Sequence, residues 1–259
     1  MQFAWFPGCK IAYHQPQYGR DALDVCAALG LEPASMEFNC CGWPLRQESL
    51  RTSALAAARN FALANAAGLD IVTPCKCCYG NLKVMAHKLQ TLPELRTTID
   101  AHLQSEGLSL AEIPRVLHLL TVMDQNLDKL RELAGNGLGG SPVAASYGCH
   151  ALRPSEATDF DDPLAPTVFE RVLKALGAEP VPWQLRVECC GHFMRDRNDA
   201  MADSIGLSKL RDAAGAGAET VATACTYCQM QFEGLTGDEE LPAAETVASV
   251  ALRAMRRKS

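Results

Sequence analysis

The sequence predicts an α/β protein: two pseudo-symmetric α/β units with small, mostly parallel sheets, joined by a helical connector. Three observations lead to this prediction. A cysteine pattern occurs twice, short apolar segments end just before these cysteines, and amphipathic segments lie between the apolar ones. Strands that alternate with helices are typical of parallel sheets, because two parallel strands need a crossover connection. The predicted units are residues 1–98 and 142–259, with the connector and a glycine-rich hinge at 99–141.

Each copy of the cysteine pattern contains an isolated cysteine, a vicinal pair followed by glycine, and a Cys-x-x-Cys pair. The first copy consists of Cys9, Cys40, Cys41, Gly42, Cys75 and Cys78. The second copy consists of Cys149, Cys189, Cys190, Gly191, Cys225 and Cys228. The two copies use ten of the twelve cysteines and leave Cys26 and Cys77. A matched repeat of three separated groups is far more specific than a single Cys-x-x-Cys.

The segments around the cysteines repeat as well. The first copy predicts strands at 2–7, 31–38 and 70–74, and helices at about 18–30, at 48–67 and after residue 80. The second copy predicts strands at 143–147 and 220–223, and helices at about 166–176 and 200–214. A connector helix is predicted at 109–134 and a flexible joint at 135–142. Since sites in parallel sheets form at the carboxyl ends of strands, each copy should bring its five thiols together.

Composition excludes several classes of protein. The chain has 259 residues, 48% hydrophobic and 21% charged, a balance typical of folded proteins. The net charge is -6 and no basic run occurs, so no nucleic-acid partner is expected. No signal peptide and no membrane-spanning run is visible, which predicts a cytoplasmic protein that meets membranes only through a partner. In that compartment thiols stay reduced, and a cysteine-rich pattern indicates metal binding or catalysis.

Five thiols in one place exceed the need of an ordinary site. A structural zinc ion or a cubane [4Fe–4S] cluster takes four ligands. Adjacent residues such as Cys40 and Cys41 point apart, so they suit different metals of one larger cluster. The glycine after each pair is expected to let the backbone approach that cluster. The alternatives are a zinc ion or a cubane cluster with one spare thiol, or buried structural cysteines.

The two copies resemble the cysteine-rich (CCG) domain, and a chain with both resembles the B subunit of heterodisulfide reductase and its bacterial sulfur-oxidation relatives. The resemblance implies a noncubane [4Fe–4S] cluster in each domain, with Cys40, Cys41, Cys189 and Cys190 at the reacting centre. The implied first ligand set is Cys9, Cys40, Cys41, Cys75 and Cys78. The implied second ligand set is Cys149, Cys189, Cys190, Cys225 and Cys228. Cys77 departs from the family pattern, and some relatives carry zinc or a different site in the first domain.

The leading functional hypothesis is an enzyme subunit that reduces or forms disulfide bonds. The resemblance implies two partners in the same complex, the iron–sulfur C subunit together with the flavin A subunit, and a thiol or disulfide substrate such as a lipoyl carrier protein. No flavin, nucleotide or ferredoxin motif occurs in the chain, so electrons must enter from such partners. The alternatives are an electron-transfer subunit of a lactate, glycolate or succinate oxidising complex, and a zinc-stabilised scaffold.

Other side chains near the cysteines are secondary candidates. Histidines could move protons and cations could hold an anionic substrate, although both types are more often ordinary structural neighbours. The aromatic rings are expected to shield the clusters and exclude water. These candidates are His14, His150, His192, Lys10, Lys76, Arg195, Trp43, Tyr79, Phe193 and Tyr227. The sequence also predicts a substrate channel that ends between the Cys40-Cys41 and Cys189-Cys190 pairs.

Overall fold

The structure is a computed structural model that describes residues 1–235 and 240–258. Within these ranges the strands are β1 (Gln2–Trp5), β2 (Glu32–Ser35), β3 (Ile71–Thr73), β4 (Val116–His118), β5 (Pro142–Ser146), β6 (Glu179–Pro180), β7 (Thr220–Thr223) and β8 (Ala243–Thr246). The helices are α1 (Cys9–His14), α2 (Pro16–Ala28), α3 (Leu50–Ala66), α4 (Lys76–Thr91), α5 (Pro93–Ser105), α6 (Leu119–Asp124), α7 (Leu127–Ala134), α8 (Ser155–Thr158), α9 (Val168–Ala175), α10 (Asp199–Gly215), α11 (Thr226–Glu233) and α12 (Val247–Lys258).

Two four-stranded sheets have the same topology. Their strand orders are β2-β1-β3-β4 and β6-β5-β7-β8, and every neighbouring pair is parallel. The predicted class, two pseudo-symmetric α/β units, is therefore confirmed. The first half is defined here as residues 1–141 and the second half as residues 142–258.

Local sequence explains most of these elements. The central strands β3 and β7 are buried along their whole length and consist of small or β-branched residues. Proline occurs only on edge strands, at Pro33 in β2 and at Pro180 in β6, and at the first residue of β5, where its missing N–H is tolerated. The long helices α3 and α10 start at the capping side chains of Ser49 and Asn198, which accept hydrogen bonds from backbone N–H groups.

The connector departs from the prediction. A single helix was expected at 109–134, but the structure has a strand, β4, followed by the two short helices α6 and α7. The leucines of this segment have helical spacing, while β4 has only three residues and forms because it pairs with the open edge of β3. The equivalent strand β8 and helix α12 were not predicted. Both strands form by pairing with segments that are distant in sequence, and the periodicity of the local sequence does not predict such pairing.

A helix from each half packs on a helix of the other half. Helix α6 of the first half packs on α9 of the second, and α12 of the second half packs on α2 of the first. Arg171 of α9 donates two hydrogen bonds of 2.7 Å to the carboxylate of Asp124 at the end of α6. The helices that follow the fourth strand of each sheet thus join the halves reciprocally.

The glycine-rich segment at 135–142 is packed, so the prediction of a flexible joint is wrong. Leu138 is buried, and the backbone N–H of Gly140 donates a hydrogen bond to the carbonyl of Gly177. A Cβ on Gly137 would lie 2.0 Å from the carbonyl oxygen of Ala254 in α12. The segment holds the connector against the second half rather than separating the halves.

No helix in the described ranges combines the length and the apolar character that crossing a bilayer requires.

Candidate metal-binding site at the junction of the halves

All of the predicted cysteine groups lie where the two halves meet. Cys9 begins α1 just after β1, and Cys75 caps the N-terminus of α4 just after β3. In the second half, Cys149 follows β5 and Cys225 caps the N-terminus of α11. The parallel sheets therefore bring the cysteine groups together at the carboxyl ends of the strands, as the sequence predicted. The first site and the second site are defined here as the five cysteines of each repeat.

The ten cysteines form one continuous row. Each thiol interacts with the next, and the interaction between Cys75 and Cys225 joins the first site to the second. The order of the row is Cys9, Cys40, Cys41, Cys78, Cys75, Cys225, Cys228, Cys190, Cys189 and Cys149. Cys26 lies apart from the row, fully buried on α2.

Interactions within the row shift the pKa values of its thiols. Bonds from Cys40 and Cys78 lower the pKa of Cys41 to about 5, despite its burial. In the second site, bonds from Cys149 and Cys190 lower the pKa of Cys189. Cysteine binds metals as the thiolate, so each site already contains a thiol inclined to lose its proton. The N-terminus of α4 adds its positive dipole end beside Cys75.

Two kinds of glycine lie near the row. Gly42 and Gly191 have φ values of 88° and 89°, and a Cβ there would lie 2.7 Å from the carbonyl oxygens of Ser53 and Ala202, respectively. These glycines let the following helix pack closely. The glycines that approach sulfur are Gly8 and Gly148, where a Cβ would lie 2.6 Å from the Cys78 Sγ and 3.4 Å from the Cys228 Sγ, respectively.

His150 joins both halves with a defined tautomer. Its Nε2 lies 3.2 Å from the indole Nε1 of Trp43, which can only donate, so Nε2 accepts. Burial lowers the pKa of His150 and favours the neutral ring, which then carries its proton on Nδ1. That nitrogen lies 3.4 Å from the Cys77 Sγ and 3.6 Å from the Cys149 Sγ. His150 thus presents an N–H to thiols from both halves.

The residues between the cysteines of each Cys-x-x-Cys pair cross to the opposite half. Lys76 donates a hydrogen bond of 3.2 Å to the carbonyl of Ser146 and lies over the ring of Tyr147. In the other direction, the Thr226 hydroxyl lies 3.1 Å from the Cys75 Sγ. The cavities beside the two sites share Trp43, Cys77 and Tyr227 as lining residues. The two cavities thus adjoin at these three residues, and the substrate channel between the cysteine pairs stays a prediction.

A buried lysine distinguishes the second site. Lys209 of α10 donates hydrogen bonds of 2.7 Å to the carbonyls of Leu185 and Glu188, just before the Cys189-Cys190 pair. The equivalent residue of α3 is Asn60, since each lies 18 positions after the glycine of its motif. Asn60 likewise donates to the carbonyls of Asn39 and Cys40. The same position therefore carries a charge in one half and a neutral amide in the other.

His118 is a junction residue that the sequence did not indicate. It ends β4, is fully buried, and places its Nε2 3.0 Å from the carbonyl oxygen of Pro74 and 3.1 Å from that of Ala224. Burial lowers its pKa to about 3, which keeps the ring neutral. His118 therefore ties the turns before Cys75 and Cys225 together. No motif surrounds it, and it becomes visible only after β4 is recognised.

The other candidates have different surroundings. His14 lies near Lys10 at the surface, and Arg195 is paired with Asp203 and Gln231. His192 stacks on Tyr227, and Phe193 and Trp43 are in edge contact beside the second site. Tyr79 donates a hydrogen bond to the carbonyl of Thr158 and does not line either of the two cavities beside the sites.

The donor set suits a cluster better than a single ion. Among the described residues, no group of three or more His, Cys, Asp or Glu side chains is arranged to hold one metal ion. Each site offers five thiols in a row of sulfur donors without a carboxylate, and the missing side chain of Gly8 leaves room beside the Cys78 sulfur. Sulfur-only donors are typical of iron–sulfur clusters.

Fold and site together define a two-domain α/β protein whose cysteine-rich sites meet at the domain junction. The model of the CCG family, described as a cysteine-rich domain, matches residues 3–83 and 143–233. The chain belongs to this family, and the resemblance drawn from the sequence is confirmed.

Several curated proteins are similar to this chain over most of its length. It is 32% identical to the 8-methylmenaquinol:fumarate reductase membrane anchor subunit of Wolinella succinogenes, over 90% of this chain and 82% of the relative. It is 29% identical to a protein of Archaeoglobus profundus that is named as similar to the B subunit of heterodisulfide reductase. The match covers 90% of this chain and 81% of the relative. It is also 29% identical to the B subunit of the ferredoxin/F(420)H(2)-dependent CoB-CoM heterodisulfide reductase of Methanosarcina acetivorans, over 88% and 78%.

A solved structure shares the fold. The crystal structure of a hypothetical protein from Helicobacter pylori superposes with a TM-score of 0.75 over 98% of this chain, at 14% identity. The present chain spans 49% of the length of that protein.

Proposed function

We propose that this chain is the catalytic iron–sulfur subunit of a heterodisulfide reductase-like complex and that it reduces or forms sulfur–sulfur bonds at the junction of its halves. The names of the archaeal relatives and the cysteine-rich family support the coarser part, an iron–sulfur oxidoreductase subunit. The observation that carries the proposal is the continuous row of ten thiols, which the contact between Cys75 and Cys225 extends across the junction.

Each site would hold one [4Fe–4S] cluster, of the noncubane type. The residues that would hold the first are Cys9, Cys40, Cys41, Cys75 and Cys78. The residues that would hold the second are Cys149, Cys189, Cys190, Cys225 and Cys228. When bound, such clusters supply single electrons and iron atoms with affinity for sulfur.

The surrounding side chains suit disulfide chemistry. Reduction of a disulfide takes two electrons and two protons and releases two thiols, so two adjoining one-electron sites match the electron count. His150 holds a proton on Nδ1 at the junction, and Trp43 fixes the orientation of its ring. Trp43 and Tyr227 stand between the two cavities and limit water around the reacting sulfurs.

An entrance lies beside the second site. A cleft of about 330 Å³ is lined by Arg46, His150, Cys189 and Phe193 among others, and it is large enough for a slender thiol. A coenzyme thiol or the lipoyl group of a carrier protein has this shape. The electrons would come, in the cytoplasm, from the iron–sulfur C subunit together with the flavin A subunit of the same complex.

A second candidate is an electron-transfer subunit of a succinate- or fumarate-type complex. The similarity to the Wolinella fumarate reductase subunit favours it. In that case the thiol sites would pass electrons without binding a thiol substrate. A zinc-stabilised scaffold would have neither property.

Metal analysis of anaerobically purified protein tests the proposal first. We expect a brown protein with about eight irons and a matching amount of acid-labile sulfide per chain. Colourless protein with stoichiometric zinc would contradict the proposal. The oxidised protein is then mixed with dihydrolipoamide, and we expect a new EPR signal that changes in the Cys189→Ser variant. Two iron–sulfur clusters without any response to thiols or disulfides would favour the electron-transfer candidate.

A further inference from the structure

We propose that Lys76 and Cys77, which the sequence places in the first cysteine motif, lie beside the second site and influence the g-values and the midpoint potential of the cluster proposed there. The inference rests on the proposed iron–sulfur function and assigns the cysteine that the family pattern leaves over. The turn of α4 that carries these two residues begins in the first half and projects into the second.

The contacts of Cys77 are the first argument. Its Sγ lies 3.4 Å from the Nδ1 of His150 and interacts electrostatically with Cys225, and both of these residues belong to the second half. The side chain is 2% exposed and lines both cavities, the one that contains Cys149, Cys189 and Cys190 and the one that contains Cys9, Cys40 and Cys41. Its distance in sequence from Cys75 and Cys78 therefore does not indicate the site that it serves.

The contacts of Lys76 are the second argument. Its ammonium group bonds the carbonyl of Ser146 and lies 4.9 Å and 4.8 Å from the ring centroids of Tyr147 and Phe169, all in the second half. The backbone N–H of Lys76 donates to the carbonyl of Ala224, one residue before Cys225. The side chain is 1% exposed, so its amino group interacts with the groups buried beside it rather than with solvent.

The geometry of the repeat explains the crossing. In the first turn of a helix, side chains two residues apart point in different directions, so Cys75 and Cys77 serve different surfaces. The same turn in α11 sends Thr226 toward Cys75 of the first site. Each site is thus completed by a turn from the other half. The side chains of Lys76 and Cys77 lie beside the second site. The Thr226 hydroxyl and the Tyr227 phenol lie beside the first.

The proposal predicts that substitutions of Lys76 and Cys77 change the properties of the second cluster and not those of the first. Cys41→Ser leaves the second cluster as the only one to observe, and Cys190→Ser leaves the first. Cys77→Ser and Lys76→Met are added to each background, and the EPR g-values and midpoint potential are measured by anaerobic redox titration. We expect both substitutions to shift these values in the Cys41→Ser background and to leave them unchanged in the Cys190→Ser background.

Thr226→Val is the matched control, because its hydroxyl contacts Cys75. It should alter the remaining cluster only in the Cys190→Ser background. The inference is overturned if Cys77→Ser releases iron from, or shifts the signal of, the Cys190→Ser protein, because Cys77 would then belong to the first site.

An iron-independent readout separates failure of this inference from failure of the proposed function. In protein as purified, ¹⁵N-labelled histidine reports the ring of His150 by NMR. We expect Cys77→Ser to shift its Nδ1 resonance and Cys26→Ser to leave it unchanged. If the wild type contains no iron, the proposed function fails, while the histidine spectrum still decides the position of Cys77. An unchanged His150 resonance in Cys77→Ser would contradict the inference.

Discussion

The two cysteine sites are built alike but differ in charge. In each half, a side chain 18 residues after the Cys-Cys-Gly motif bonds the carbonyls that lead into the cysteine pair. This residue is Asn60 in the first half and Lys209 in the second, and the buried side chain of Lys76 adds another basic group beside the second site. The comparison teaches that duplicated sites with the same ligands can be made unequal by the buried charges around them.

Buried cations should order the two sites in reduction potential. Reduction adds negative charge, and positive charge nearby stabilises the reduced form more than the oxidised one. Lys209 interacts electrostatically with Cys228, Cys190, Cys189 and Cys149, and burial lowers its own pKa. We therefore expect the second site to accept an electron before the first does.

The largest expected effect comes from removing a site altogether. Cys190→Ser should lose about half of the bound iron, because one of two four-iron clusters is no longer held. Cys26→Ser should keep all of it, since that thiol is buried on α2 away from the row. Iron and acid-labile sulfide are measured per chain. Equal losses in the two variants would show that the row is not the ligand set.

The charge difference is tested next. Lys209→Gln keeps a hydrogen-bond donor but removes the cation, so the midpoint potential of the second site should fall. The expected fall is about 1–3 kcal/mol per electron, the size of a charge interaction over several ångströms at an effective dielectric constant of about 20. EPR-monitored redox titration measures it, and Lys174→Gln is the exposed control. A fall at the first site alone would break the comparison.

The motif glycines should behave alike in both halves. Gly42→Ala and Gly191→Ala should each lower the free energy of unfolding by about 1–3 kcal/mol, because both have positive φ and face a carbonyl oxygen. Gly217→Ala meets open space and should lose only about 1 kcal/mol from its φ. Chemical denaturation measures the three losses. Equal losses at Gly191 and Gly217 would show that helix packing does not require the motif glycine.

The smallest effect concerns the exchange of helices. Arg171→Ala removes the ion pair with Asp124 that links α9 to α6 across the halves. Since the arginine side chain is 43% exposed, the loss of stability should stay below about 1 kcal/mol. Thermal unfolding measures this loss, and the iron content should equal that of the wild type. A loss of iron would mean that this surface contact also shapes the thiol row.

The sequence by itself determined the class of fold, the ten thiols of the row and the helices α2, α3, α4, α9 and α10. Repetition made this possible, because the matched positions of Cys9 and Cys149, or of Cys41 and Cys190, need no knowledge of contacts. The apolar segments before Cys75 and Cys225 could be assigned to strands for the same reason, since buried parallel strands are short continuous apolar runs.

Only the tertiary structure decided which residues contact the opposite half. Strands β4 and β8 form by pairing with distant segments, so the bridging position of His118 was hidden with them. The packing role of Gly42 was not visible in the sequence, because its close neighbour, Ser53, lies in a different element. Lys76 and Cys77 stand in the first motif but contact the second half, because side-chain direction in a helix changes by about 100° per residue. Sequence spacing records adjacency along the chain, whereas the packing of two halves determines adjacency in space.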